Sequence, residues 1–172
     1  MLLSDFWAQQ RFSYLVTYSF QRGPQLEALK NQLAQELATA RYMRRAAMQQ
    51  QIDKLQQHSL TLTEGLGPVL ATATAVARLA AGSAAVQQLA QVLQKPSKQE
   101  CYAMCPPVYR DALAFYNEAD QLVSVLNICF ECRFMQTDQH VPVEADMATY
   151  DFLRAFLLQL GHPLEADGWA QR

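Results

Sequence analysis

The stretch from Pro24 to Gln57 constrains the chain most, because after its first residue it runs without a Gly or a Pro. Its apolar residues Leu26, Leu29, Leu33, Leu37, Ala40, Met43, Ala47, Ile52 and Leu55 recur at a mean step of about 3.6 residues, the period of one helix face. The positions between them are mostly Gln, Lys, Arg and Glu. This pattern predicts one long helix whose apolar stripe the rest of the chain must cover. At 1.5 Å per residue it would measure about 50 Å, whereas a compact globule of this length is about 40 Å across. The expected body is therefore elongated, or the distal half of the helix, from Arg41 to Gln57, meets a second copy of the chain.

The flanking segments read as further helices laid against that axis. Ser4 and Asp5 can cap a first helix from about Phe6 to Phe20 that is dense in aromatic residues. Small residues from Pro68 to Gln94 predict a closely packed central helix. Ser97 and Glu100 have capping-box spacing for a short helix from Lys98 to about Cys105, stopped by Pro106 and Pro107. A fifth helix is expected from about Val108 to Met135, with Ala112, Phe115, Ala119, Leu122, Leu126 and Cys129 on one stripe. Asp146 to Leu160 reads as the last helix, ended by Gly161 and Pro163. No run alternates with period two for long enough to predict a strand. The expected fold is all-α: an elongated bundle of about five to six helices built around Pro24 to Gln57, as one domain over residues 1–172, with 164–172 as a tail.

Composition supports a folded, soluble chain. Hydrophobic residues make up 51% and charged residues 17%, enough for a core, and a net charge of -2 gives no global attraction for nucleic acid or an anionic membrane. The apolar N-terminus lacks the basic start and small-residue cleavage site of a signal peptide, and the run from Gly65 to Val86 is mostly Ala and Thr and carries Arg78. A cytoplasmic location is expected, in which cysteines stay reduced.

The residues that could carry chemistry fall into three groups. Cys101 and Cys105 are spaced i, i+4, and Cys129 and Cys132 i, i+3, so on helices each pair would share a face. Four converging thiolates would hold zinc or a related metal. Ordinary buried thiols are the main expectation, with disulfide or redox chemistry a further alternative. Arg41, Arg44 and Arg45 would lie on one side of the long helix, suited to phosphate or an acidic partner, or simply to solvent. Asp138, His140, Glu144 and Asp146 gather oxygen and nitrogen donors in one loop, where Asp146 also suits a helix cap. No phosphate-binding loop, nucleophile elbow or Glu-x-x-His pair is present.

The function expected from these residues is non-enzymatic protein interaction: an adaptor, chaperone or regulatory subunit that needs no cofactor. Trp7 and Tyr14 on the first helix and Arg41, Arg44 and Arg45 on the second would contact the partner, and the long helix offers a dimer surface. The competing expectation is a sensor or enzyme that binds a metal at Cys101, Cys105, Cys129 and Cys132, or an apolar ligand in a pocket lined by Phe115, Tyr116 and Phe130. Nucleic acid is the weaker third partner, and membrane is not expected.

Overall fold

A computed structural model describes residues 1–56, 60–96 and 105–164, with backbone alone at 43, 54 and 56. The elements are α1 (Leu3–Gln9), β1 (Tyr14–Ser19), α2 (Gly23–Thr39), α3 (Tyr42–Gln56), β2 (Thr74–Ala80), α4 (Ala84–Leu93), β3 (Asp111–Tyr116), β4 (Leu122–Cys129), β5 (Phe134–Thr137), β6 (Pro142–Val143) and α5 (Met147–Gln159). The strands form one six-stranded sheet in the order β2-β1-β3-β4-β5-β6. Every neighbouring pair is antiparallel.

The expected all-α bundle is thus overturned by a mixed fold that has, among the described residues, a six-stranded antiparallel sheet and five short helices. Each misread segment has a physical reason. The expected first helix is α1 followed by β1, whose run Tyr-Leu-Val-Thr-Tyr-Ser is β-branched and aromatic. The expected fifth helix is three strands. Asp111–Tyr116 is buried along nearly its whole length because both sheet faces are covered, so its residues are apolar without alternating. The expected central helix is β2 and α4, separated by a turn in which the Ser83 hydroxyl caps α4 by accepting from the Val86 N–H at 3.3 Å. The expected short helix from Lys98 lies almost entirely outside the described residues, as does the tail beyond Leu164.

The expected single long helix is a hairpin. Its chain breaks at Ala40–Arg41, and α3 folds back on α2, so that Leu33 on one and Met48 on the other are buried. Folding back covers part of a stripe that a straight helix would have left in water. The principal packing of α2 and of α3 is each on the other.

Alternation along β1 and β3 sets the two sheet faces. Leu15, Leu113, Phe115, Leu126 and Ile128 meet α1, α4 and α5 through Phe6, Trp7, Leu89, Leu93, Leu153 and Leu157. Phe115 is the hub of this layer, with its ring edge-on to Phe6, Trp7 and Phe12 at centroid distances of 5.9, 6.0 and 5.1 Å. The opposite face is covered by irregular chain that brings Leu62, Tyr109, Val69 and Leu70 onto Phe20, Ala112, Ala114, Val125 and Cys129. Asn127, fully buried on that face, holds this cover by accepting the Leu62 N–H at 2.8 Å and donating to the Gln136 carbonyl at 3.2 Å.

The two sheet edges differ. At β6 the N-terminal chain closes the edge: the Met1 amine donates to the Pro142 carbonyl, the Leu3 N–H to Glu144, and the Glu144 N–H to Met1. At the other edge β2 is the last strand.

The last helix falls where its end signals place it. Asp146 accepts the Thr149 N–H at 2.9 Å and its hydroxyl at 2.7 Å. Replacing Asp146 by Ala is expected to cost about 1–2 kcal/mol, read as a lower urea midpoint with an unchanged denaturant slope. An unchanged midpoint would show that the cap contributes nothing.

Candidate functional site

A buried, hydrogen-bonded polar group lies beneath the sheet, at the C-terminal end of α5. Gly161 adopts φ 94° and its N–H donates to the Leu158 carbonyl, while the His162 N–H donates to the Leu157 carbonyl, the pair of hydrogen bonds that ends a helix with a left-handed residue. This turn aims His162 back under β1 and β3. Its Nδ1 lies 2.6 Å from Asp111 Oδ1, and its Nε2 lies 2.9 Å from Thr17 Oγ1. The Arg22 guanidinium pairs with the same Asp111 oxygen, and its Nε donates to Ser19 Oγ at 2.8 Å. Antiparallel pairing sets Ser19 opposite Asp111, which brings these partners to one place. A carboxylate can only accept, so Nδ1 carries the proton shared with Asp111.

Hydroxyl, imidazole and carboxylate stand here in the order used by nucleophilic hydrolases. Burial decides against that chemistry. Thr17 is 0% exposed, Asp111 1% and His162 3%, so no substrate atom can approach the hydroxyl in this conformation. Arg22 further neutralises the carboxylate that would have to support an imidazolium. The group is a clasp joining chain positions as far apart as Thr17 and His162. In the sequence His162 stands between the helix-ending Gly161 and Pro163, and nothing there points to its partners. The available signal was Gly161-His162, since the residue after such a glycine turns back onto the core.

The expected metal ligands do not sit on paired helices. Cys129 ends β4, Cys132 lies in the turn before β5, and Cys101 is outside the described residues. Cys132 is joined to Cys105 in a disulfide with Cα atoms 5.9 Å apart, so neither sulfur is a free thiolate. Closing this loop stabilises the fold by about 3–4 kcal/mol on the chain-entropy account. Cys129 keeps its thiol and is buried. Its Sγ accepts the N–H groups of Val108 and Cys132, each at 3.3 Å. Burial pushes its pKa up, and these N–H donors oppose that effect.

The acidic loop is likewise committed to local structure. Asp138 accepts the Val125 N–H at 3.0 Å, His140 Nδ1 shares a hydrogen bond with Gln136, and Asp146 caps α5. Among the described residues no three His, Cys, Asp or Glu are placed to hold a metal ion. Phe115 and Tyr116 point to opposite sheet faces, so they do not line one pocket.

The five expected partner contacts are divided. Trp7 is buried beside Phe12 and Phe115. Tyr14 is half-buried on β1, stacked on Tyr116 at 5.1 Å, covered by Arg78 on its ring, and bonded through its hydroxyl to Asp120 at 2.7 Å. Arg41, Arg44 and Arg45 come together at the tip of the α2–α3 hairpin, exposed, with no ion pair among the described residues. Tyr42 between them is 87% exposed, the most exposed large hydrophobic side chain among those described. Beside the tip runs an open groove of about 570 Å³ lined by Ala34, Leu37, Ala38, Arg45, Ala46 and Gln49.

No family model, curated protein or solved structure matches the chain. Its functional reading therefore rests on its own residues. No helix among the described residues is long and apolar enough to cross a membrane.

Proposed function

We propose that this protein is a non-enzymatic protein-interaction module whose partner surface is the tip of the α2–α3 hairpin. The observation that carries the reading is the tip itself, where Tyr42 stands exposed among Arg41, Arg44 and Arg45. Tyr and Arg are the residues that contribute most per side chain at interfaces, and guanidinium groups favour carboxylate-rich surfaces. The apolar floor of the adjacent groove, Ala34, Leu37, Ala38 and Ala46, offers burial next to that charge. The partner is accordingly a protein with an acidic patch beside an apolar side chain.

A photo-crosslinking residue at Tyr42, with one at exposed Gln35 as control, would identify the partner in source cells. Binding of that partner would then be compared between wild type and the R41E/R44E/R45E variant. Each exposed pair is worth about 0.2–1 kcal/mol, so removing three of them by charge reversal is expected to weaken binding about 3- to 150-fold without changing the melting temperature. Wild-type affinity is also expected to fall with added salt. A crosslink between two copies would make the partner a second chain. No crosslink above the Gln35 control, or binding indifferent to the charge reversal, would sink the proposal.

A further inference from the structure

We propose that Cys105, Cys129 and Cys132 form a thiol–disulfide exchange site in which Cys132 is the shared sulfur, passed between exposed Cys105 and buried Cys129. Three observations carry it. Cys129-Phe130-Glu131-Cys132 places two sulfurs on one tight turn, the spacing of dithiol redox pairs. Cys129 and Cys132 are packed in the same core cluster. The Cys132 N–H donates to Cys129 Sγ, and the Val108 N–H does so as well, so two donors are ready to support a thiolate there. Cys105, the other end of the disulfide, is exposed.

The exchange needs no external oxidant. The Cys129 thiol gives its proton to solvent, and the thiolate attacks Cys132 Sγ. The Cys129–Cys132 bond forms, the Cys105–Cys132 bond breaks, and the electron pair leaves on Cys105 Sγ, which takes up a proton. The released Cys105 thiol then stands at the surface, open to exchange with a disulfide-bearing molecule. The titratable and charged groups around Cys129 are Glu131, whose charge also raises the thiol's pKa, the Tyr109 phenol, and Arg110, which pairs with Glu131 at 3.4 Å. Because burial raises that pKa, the thiolate is the minor form at neutral pH, and the exchange rate is expected to rise about tenfold from pH 7 to 8.

The test is peptide mapping of the full chain under non-reducing conditions. Native protein is held at pH 8, quenched in acid and alkylated with N-ethylmaleimide in denaturant. Trypsin with a glutamate-specific protease then separates all three sulfurs, because Arg110 and Glu131 lie between them. The expected result is a growing population with a Cys129–Cys132 bond and label on Cys105, absent from C129S, in which Cys105–Cys132 persists. In C105S, a glutathione redox buffer should produce the Cys129–Cys132 bond. Label on Cys129 with none on Cys105 in wild type after prolonged incubation would overturn the proposal. So would a Cys101–Cys105 bond forming in place of Cys129–Cys132. The wild-type measurement stands even if C105S fails to fold.

Discussion

Replacing Asp111 by Ala is expected to remove about 3–5 kcal/mol of folding stability, a large part of the 5–15 kcal/mol typical of a domain. Asp111 is 1% exposed and accepts from both Arg22 and His162 through one oxygen. Without it Arg22 loses an ion-pair partner, and of its two side-chain partners buried His162 keeps Thr17. Arg22 remains partly exposed and can recruit water, which places the loss toward the lower end of that range. Urea denaturation would measure it, with Thr17→Val beside it as the milder variant. That change removes one hydroxyl from the clasp and is expected to cost about 1–3 kcal/mol. A loss below about 1 kcal/mol for D111A would mean that the clasp does not hold the fold. Stability unaffected by T17V, together with loss of some measurable hydrolytic activity, would instead restore the nucleophile reading.

Phe115→Ala is the second large effect, also expected at about 3–5 kcal/mol. The ring is fully buried and touches three other aromatic rings, so truncation opens a cavity that α1 and the sheet cannot both close. For a chain of this length the melting temperature should fall by about 6–20 °C. The near-ultraviolet circular dichroism of Trp7, whose ring meets Phe115 edge-on, should weaken in the folded variant. A melting temperature within about 2 °C of wild type would show that the core repacks around the gap.

The sequence was legible where end signals were chemical and illegible where tertiary pairing decided. Asp146 and Gly161 mark the two ends of α5 because a carboxylate cap and a left-handed glycine act locally. Leu26 to Leu55 carry a genuine helical period, but periodicity cannot report a break at Ala40–Arg41 that only the partner helix rewards. The β3–β4 connection escaped notice because Asn117, and not Gly or Pro, builds it: its side chain accepts the N–H groups of Ala119 and Gln121, while Asp120 takes φ 57°. Alanines in β2 favour helix by propensity, yet the strand forms because β1 is there to pair with it. The clasp was invisible for a related reason. Thr17, Arg22, Asp111 and His162 are unremarkable singly, and only the β1–β3 register brings them together. The arginine cluster, by contrast, could be read directly, since neighbours in sequence on one short stretch remain neighbours at the hairpin tip.

Where the hairpin leaves and rejoins the sheet has its own consequence. Gln21, just after β1, donates its side-chain amide to the Leu60 carbonyl at 2.9 Å, so the excursion begins and ends at one spot. It is an insertion with a closed base, and the strands it interrupts pair with each other directly. Shortening that loop to a few residues would relieve about 2 kcal/mol of closure entropy. The sheet thus behaves as a chassis and the hairpin as an exchangeable attachment: tips of other sequence could be grafted between Arg22 and Leu60, leaving the clasp of Arg22 on Asp111 in place.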